Sequence, residues 1–418
     1  PSVQNGGSCR FSYQERNRAS RKLPHKEKDL RKIAGHSLLT ATRVSHMGIT
    51  FDLPEALLQP VVRRLLKDEA AEVSNFEILA LKPGLGNPTS LGVYRVLGAA
   101  QTSNGEVPFS LVVKHLANGL PMMDASAPTN WNYWKREITF FESPLAARIP
   151  KSIGYPEYLG FSDLDDGTSL FWNGDLGDLT KSNWTWDACL TAAEVVAELN
   201  SIDCSDLENF NWLNRTQVEG WDAFRLEFNS FEPVFTPMAG LAAGDQELAS
   251  AYAVYSPWMN KHEFIGQLLH GGRQTFVHGD FNLNNLVPLG HGEAKLIALD
   301  WQLAGVGRVG GEIASIYNTA IEKGVIGPEP ELFEELCLVY TERFNKLNED
   351  APIELQDVRL AAAATGYFIV QGVGFFFTPL DANATEEENE SRIRGLMNSF
   401  AAGPCMVYSR VLAELAPV

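Results

Sequence analysis

The chain has 418 residues, 45% hydrophobic and 21% charged, a balance that suits a globular protein with a buried core and a length that allows two domains or one two-lobed domain. Residues 1–46 hold ten Lys/Arg and three Asp/Glu, a net +7, while the remainder holds 24 and 49, a net −25. So acidic a body repels nucleic acid and anionic membranes, excludes them as expected partners, and suits a cationic small molecule.

The opening stretch, PSVQNGGSCRFSYQERNRASRKLPHKEKDL, is polar, basic and without apolar periodicity. Residues 1–46 therefore read as a disordered basic extension, and Met47 opens the globular part. From Phe76 the chain turns β-rich. FEILALKPGLGNPTSLGVYRVLGA gives two apolar runs around a Gly-rich turn, and FSLVVKHL (109–116) gives a third strand. WNYWKREITFF follows with Trp134, Ile138 and Phe141 at helical spacing, and Pro144 is placed to end that helix. FSDLDDGTSLFW reads as a hairpin around Asp-Asp-Gly, and GDLGDL as a connection. Beyond residue 187 the pattern becomes helical: Ala192, Val195, Val196 and Leu199 share one face. The expected architecture is α+β and bilobal, with a small β-rich N-lobe at 47–172 and a larger, mostly helical C-lobe at 173–418.

Five cysteines are scattered with no C-x-x-C pair, which points away from zinc and disulfides and toward a reducing cytoplasm. The most apolar run, GYFIVQGVGFFF (366–377), is too short to span a bilayer. Nothing in the sequence bears on oligomeric state.

One β interruption breaks the helical part: QTFVHGDFNLNNLVPLGHGEAKLIALDW. Asp280 follows the strand-like run TFV and Asp300 follows LIAL. The turn LGHGE lets those two strands pair as a hairpin and bring the aspartates together. An Asp, an Asn five residues later (Asn285), and a strand-end Asp about twenty residues on are the parts that phosphoryl transfer needs. One carboxylate accepts the hydroxyl proton, and hard oxygen ligands hold Mg²⁺ against the phosphates. Upstream, the same chemistry requires a strand lysine, a helical glutamate and a backbone loop that can approach phosphate. The Gly84, Gly86, Ser90 region, Lys114 and Glu137 supply them in the required order along the chain. Taken singly, Lys114, Glu137 and the glycines are common surface or turn features; the His278-Gly279-Asp280 run with Asn285 is the specific signal. His278 is expected to brace its loop by hydrogen bonds, not to act as a base.

FVHGDFNLNNL and IALDWQLAGVGRVGGEIA resemble the aminoglycoside phosphotransferase and choline kinase family, relatives of the protein kinases, over roughly residues 70–400. The resemblance implies ATP as donor, Mg²⁺, and a small-molecule alcohol such as an aminoglycoside, amino alcohol or sugar as acceptor. It implies Asp280 as catalytic base, Asn285 and Asp300 as magnesium ligands, Lys114 on the α- and β-phosphates, and Glu137 paired to Lys114. Backbone amides near residues 84–90, Gly84, Gly86 and Ser90 among them, would cover the phosphates, and the connecting segment near residues 171–175, with Trp172 and Asn173, would present backbone hydrogen bonds to adenine. Three departures stand out. Glu312 replaces a usual Asp, Pro88 removes an amide from the phosphate loop, and the connection reads WNGDL. After Asp300 there is no long activation segment and no A-P-E, and HGD replaces H-R-D, which favours a constitutively active enzyme with a small acceptor. Trp184, Trp186, Asp187, Trp212, Trp221 and Asp222 are candidates for the acceptor pocket, with the lobe core as the competing place for the tryptophans. The alternative function is a catalytically silent kinase-like module that binds nucleotide or ligand.

Overall fold

Alternating burial along two long runs marks the N-terminal sheet. In β5 (Gly105–Leu116), Phe109, Leu111 and Val113 are buried at every second position, the two-residue period of a strand with one face on a core. β4 (Ser90–Thr102) alternates likewise, burying Tyr94 and Val96. These features come from a computed structural model that describes residues 43–46, 49–81, 89–118, 125–177, 183–215, 218, 232–258, 261–290, 292–376, 385–401 and 403–415.

β3 (Glu72–Leu81), β4, β5, β7 (Tyr158–Asp163) and β8 (Ser169–Gly174) form a five-stranded antiparallel sheet in the order β3-β4-β5-β8-β7. One face packs on α1 (Glu55–Leu66) through a core of Phe51, Leu58, Val62, Tyr94, Val113 and Trp172. The other face carries Leu116 and Phe171, which meet Ile138 of α2 (Arg136–Glu142). The helix is shorter than the sequence periodicity suggests, because Trp134 lies in the turn before it; it stops at Glu142, two residues before Pro144. β8 carries the sheet to Gly174, so the 172/173 boundary expected from sequence falls inside a strand. A short pair, β1 (Arg43–His46) and β2 (Ile49–Asp52), precedes α1.

The C-terminal part is helical: α3 (Trp186–Leu199), α4 (Glu232–Gly244), α5 (Gln246–Tyr255), α6 (His262–His270), α7 (Ile313–Glu322), α8 (Pro330–Leu347), α9 (Leu355–Phe376), α10 (Glu386–Ala401) and α11 (Cys405–Leu415). The face of α3 read from sequence is buried, and α3 packs on α8 and α7. The described residues belong to the compact unit Ala41–Val418. Among them no helix is long and apolar enough to cross a membrane.

The β interruption folds differently from the expected hairpin. β9 (Gln274–Val277) does not pair with β11 (Leu296–Ala298). β9 pairs with β12 (Gly305–Arg308), and β11 pairs with β10 (Leu286–Pro288) and, in parallel, with β6 (Ile153–Gly154). The cause is the loop at 278–285. It turns the chain back before the L-G-H-G-E turn is reached, so the strand immediately before that turn becomes the partner of β11.

Candidate active site

The loop between β9 and β10 is held by two buried side chains, His278 and Glu312. His278 is fully buried, and burial pushes its imidazole down to about 4, so it is neutral. Its Nδ1 accepts from the Asp280 N–H at 3.3 Å, which leaves the proton on Nε2, 2.9 Å from the Leu299 carbonyl it donates to. That bond, with the Leu299 N–H donating to the Asn285 carbonyl at 2.8 Å, ties the 278–285 loop to the strand before Asp300. The charge of Asp300 therefore reaches Asp280 without their strands pairing.

Gly279 has φ 84, and a Cβ there would overlap the Leu303 carbonyl, so only glycine fits. Its N–H donates to Glu312 Oε1 at 2.9 Å. Glu312 Oε2 accepts from Asn200 at 3.3 Å, Asn200 Oδ1 accepts from the Tyr340 hydroxyl at 2.7 Å, and that hydroxyl accepts from the Gly310 N–H at 3.0 Å. This buried chain links α3, α7, α8 and the loop. Burial raises the Glu312 carboxyl to about 7.

Asp280 is pushed up to about 6 by burial and by the charge of Asp300. Both its oxygens are fixed: Oδ1 accepts from Asn282 Nδ2 at 2.6 Å and Oδ2 from Asn285 Nδ2 at 2.7 Å. Asn285 also donates to the Asp280 carbonyl at 3.1 Å, so its side-chain oxygen is the end left free to serve as a ligand.

Lys114 and Glu137 come from different elements and meet at 2.7 Å. The same ammonium lies 3.0 Å from Asp300 Oδ1. Burial pulls the Lys114 pKa down, but Asp300 and Glu137 together raise it further, and the net direction is up. Glu137 Oε1 also accepts from the Trp301 N–H at 3.2 Å, so α2 is joined both to the sheet and to the segment after Asp300. Asp300 has φ 60 and ψ 69, a left-handed conformation that is costly for a non-glycine and concentrates at functional sites. Its side chain keeps 40% exposure. Burial on its other sides raises its pKa, the Lys114 ammonium lowers it by more, and the net direction is down.

The donor set fits a hard cation. Asp300 contributes a carboxylate and Asn285 an amide oxygen, and among the described residues no group of three His, Cys, Asp or Glu forms an all-protein cage. Such a site suits Mg²⁺, which keeps waters and takes other ligands from phosphate.

The remaining sequence candidates divide. Gly84 and Gly86 lie outside the described residues, as do Pro88, Trp221 and Asp222. Ser90 opens β4 opposite Leu116, and its hydroxyl oxygen is buried without a partner. Of the segment expected to offer backbone to adenine, Trp172 and Asn173 lie within the sheet. β8 lies between β5 and β7, so Asn173 is paired with Val112 on one side and Tyr158 on the other, and Trp172 is likewise inside the ladder. The Trp172 indole is in the core, donating to Ser162 Oγ at 3.1 Å. Trp212 is buried against Phe140, which makes it core. Trp184 and Trp186 are half-buried against the helical core, and Trp186 donates to Glu335 at 3.1 Å.

Sequence reasoning missed Arg136. It is fully buried and meets no carboxylate. Its guanidinium donates to the carbonyls of Trp212 (2.7 Å), Trp131 (2.7 Å), Gln302 (3.1 Å), Pro128 (3.5 Å) and Asn130. Its only signal was its place beside Glu137, and a charged residue in the first position of a short helix looks like surface.

A comparison with protein-family models finds no match, and a comparison with curated proteins finds none. Among solved structures, the chain is similar to the GDP complex of wild-type aminoglycoside 2'-phosphotransferase-IIIa (12% identity, 84% of this chain and 99% of that one, TM-score 0.46). It is also similar to spectinomycin phosphotransferase in complex with ADP and spectinomycin (10%, 84% and 98%, 0.47). A third is an amicoumacin kinase in complex with AMP-PNP, Ca²⁺ and Ami (10%, 78% and 87%, 0.43).

Proposed function

We propose that the protein is an ATP- and Mg²⁺-dependent phosphotransferase that moves the γ-phosphate to a hydroxyl of a small molecule. One observation carries this reading. A lysine from the sheet is held between a helical glutamate at 2.7 Å and a strand-end aspartate at 3.0 Å, beside a loop whose Asp280 and Asn285 are already locked together. Phosphoryl transfer asks the protein for little covalent chemistry and much placement of charge, and this constellation is an arrangement of charge.

Each residue has a role that follows from its surroundings. Lys114 is kept cationic by two carboxylates and brings that charge to phosphate oxygens. Glu137 fixes the ammonium, and its second oxygen fixes the Trp301 backbone. Asp300 and Asn285 would hold Mg²⁺, which when bound neutralises charge on the phosphates. Asp280 accepts the hydrogen bond of the acceptor hydroxyl and takes its proton as the oxygen–phosphorus bond forms. An acid raised to about 6 is a better match for that proton than an ordinary aspartate, yet it remains mostly ionised at neutral pH. The acidic body supports an acceptor that carries amines.

The test is a screen with γ-labelled ATP against aminoglycosides, choline-like amines, sugars, nucleosides and macrolides, with and without Mg²⁺. Label on at least one acceptor, only with the metal, is the expected result. ATP binding with no transfer to any acceptor would instead support the silent binding module.

A further inference from the structure

We infer that the side chain of Asn173 reads the purine base and selects adenine over guanine; the inference deepens the nucleotide site proposed above and rests on that reading.

In an antiparallel ladder, paired residues share a face. Lys114 is paired with Phe171, and Val112 with Asn173. Asn173 therefore lies on the face of the sheet that carries Lys114, one side-chain row further along β8, about 7 Å at strand spacing. Leu170 and Trp172 point the opposite way, into the core shared with Tyr94. Asn173 is 7% exposed, its Oδ1 is buried with no hydrogen-bond partner, and no hydrogen bond joins its Nδ2 to another described residue.

An apolar residue would be the economical choice at a buried strand position, and an unpaired buried amide is costly. The neighbouring acid does not relieve it. Asp175 is committed to Arg95 at 3.0 Å, to the Ser110 hydroxyl at 2.5 Å and to the Gly177 N–H at 3.0 Å. A buried carboxamide on the Lys114 face, its oxygen unpaired among the described residues, near the end of the strand, is a partner for a planar group that presents a donor beside an acceptor.

Adenine has that pattern at its N6–H and N7 edge: the carboxamide oxygen accepts from N6 and its NH₂ donates to N7. Guanine presents two acceptors there, O6 and N7, and sets O6 against the amide oxygen. The broad terminal torsion of asparagine lets the amide turn to meet the base.

The experiment measures affinities for ATP, GTP and 7-deaza-ATP, each with Mg²⁺, on the full chain by thermal-shift titration. Wild type is expected to bind ATP roughly tenfold or more tighter than GTP, and tighter than 7-deaza-ATP, which lacks the N7 acceptor. In Asn173→Leu the ATP:GTP ratio should collapse toward one and the 7-deaza penalty should vanish. Asn173→Asp keeps the shape but not the NH₂ donor; it should lose the 7-deaza penalty and keep an ATP preference, and it decides the matter if the leucine variant does not fold. Unchanged ratios in both variants, or a wild type that prefers GTP, would overturn this inference alone. A wild type that binds none of the three would overturn the nucleotide reading with it.

Discussion

Burial acts on His278 and Glu312 in opposite directions, and the two together shape how stability depends on pH. His278 is held near 4 in the fold, against 6.5 when exposed, so the unfolded chain binds the proton more tightly and stability falls as pH drops from 6.5 toward 4. Glu312 is held near 7, against 4.5 when exposed. Its folded form keeps the proton, so its contribution is complete below about pH 4.5 and is lost as pH rises toward 7. Each is worth on the order of 3 kcal/mol across its window, and the windows overlap, so the slopes largely cancel. In Glu312→Gln the falling arm is gone. Urea unfolding of that variant should show stability rising from pH 4.5 to 6.5 more steeply than wild type; equal slopes would mean that Glu312 is not protonated in the fold.

The short helix α2 is fastened at two consecutive residues. Glu137 meets Lys114 and Trp301, and Arg136 gathers five carbonyls from the segments at 128–131, 212 and 302. Burial pulls the guanidinium down to about 10, which leaves it charged at neutral pH. Arg136→Met would leave those carbonyls without donors. It is expected to cost more than about 3 kcal/mol in denaturant unfolding and to lower turnover by freeing Glu137. A loss under about 1 kcal/mol would show that other groups hold the helix. Elements of this kind were only partly legible in the sequence. The strands β4, β5, β7 and β8 and the buried face of α3 follow from local periodicity, which is written in neighbouring residues. The partner of β9 was misread because strand pairing is decided by the loop at 278–285, whose course depends on bonds from His278 and Gly279 to residues 21 and 33 positions away. Arg136 was illegible for the same reason, since its partners are backbone atoms that carry no residue-type signal.

At the scale of the whole molecule, the two parts are joined where Lys114, Glu137 and Asp300 meet, so a nucleotide bound there would clamp sheet to helices. Mg²⁺ with ATP at a hundredfold excess over its dissociation constant should stabilise the fold by about 2.7 kcal/mol, read as a rise in Tm. Lys114→Ala should reduce that rise, and a rise unaffected by this substitution would place the nucleotide elsewhere. The candidate site was read from the spacing of Asp280, Asn285 and Asp300 because each lies at a strand end or in a tight loop, where sequence distance constrains space. The acceptor pocket was not legible in this way. Of the tryptophans suggested for it, Trp212 is core, Trp186 bonds Glu335, and Trp221 lies outside the described residues. Aromatic composition alone does not separate a binding wall from a packed lobe.

The central claim concerns Asp280, and it is tested most directly by single-turnover phosphate transfer in wild type and Asp280→Asn, at saturating Mg²⁺, ATP and an accepted alcohol. The substitution keeps the size of the side chain, turns one of its two acceptor oxygens into an NH₂ donor, and removes its capacity to take a proton. Transfer should slow by roughly 10²- to 10⁴-fold with ATP affinity unchanged; transfer by the variant at the wild-type rate would contradict the assignment.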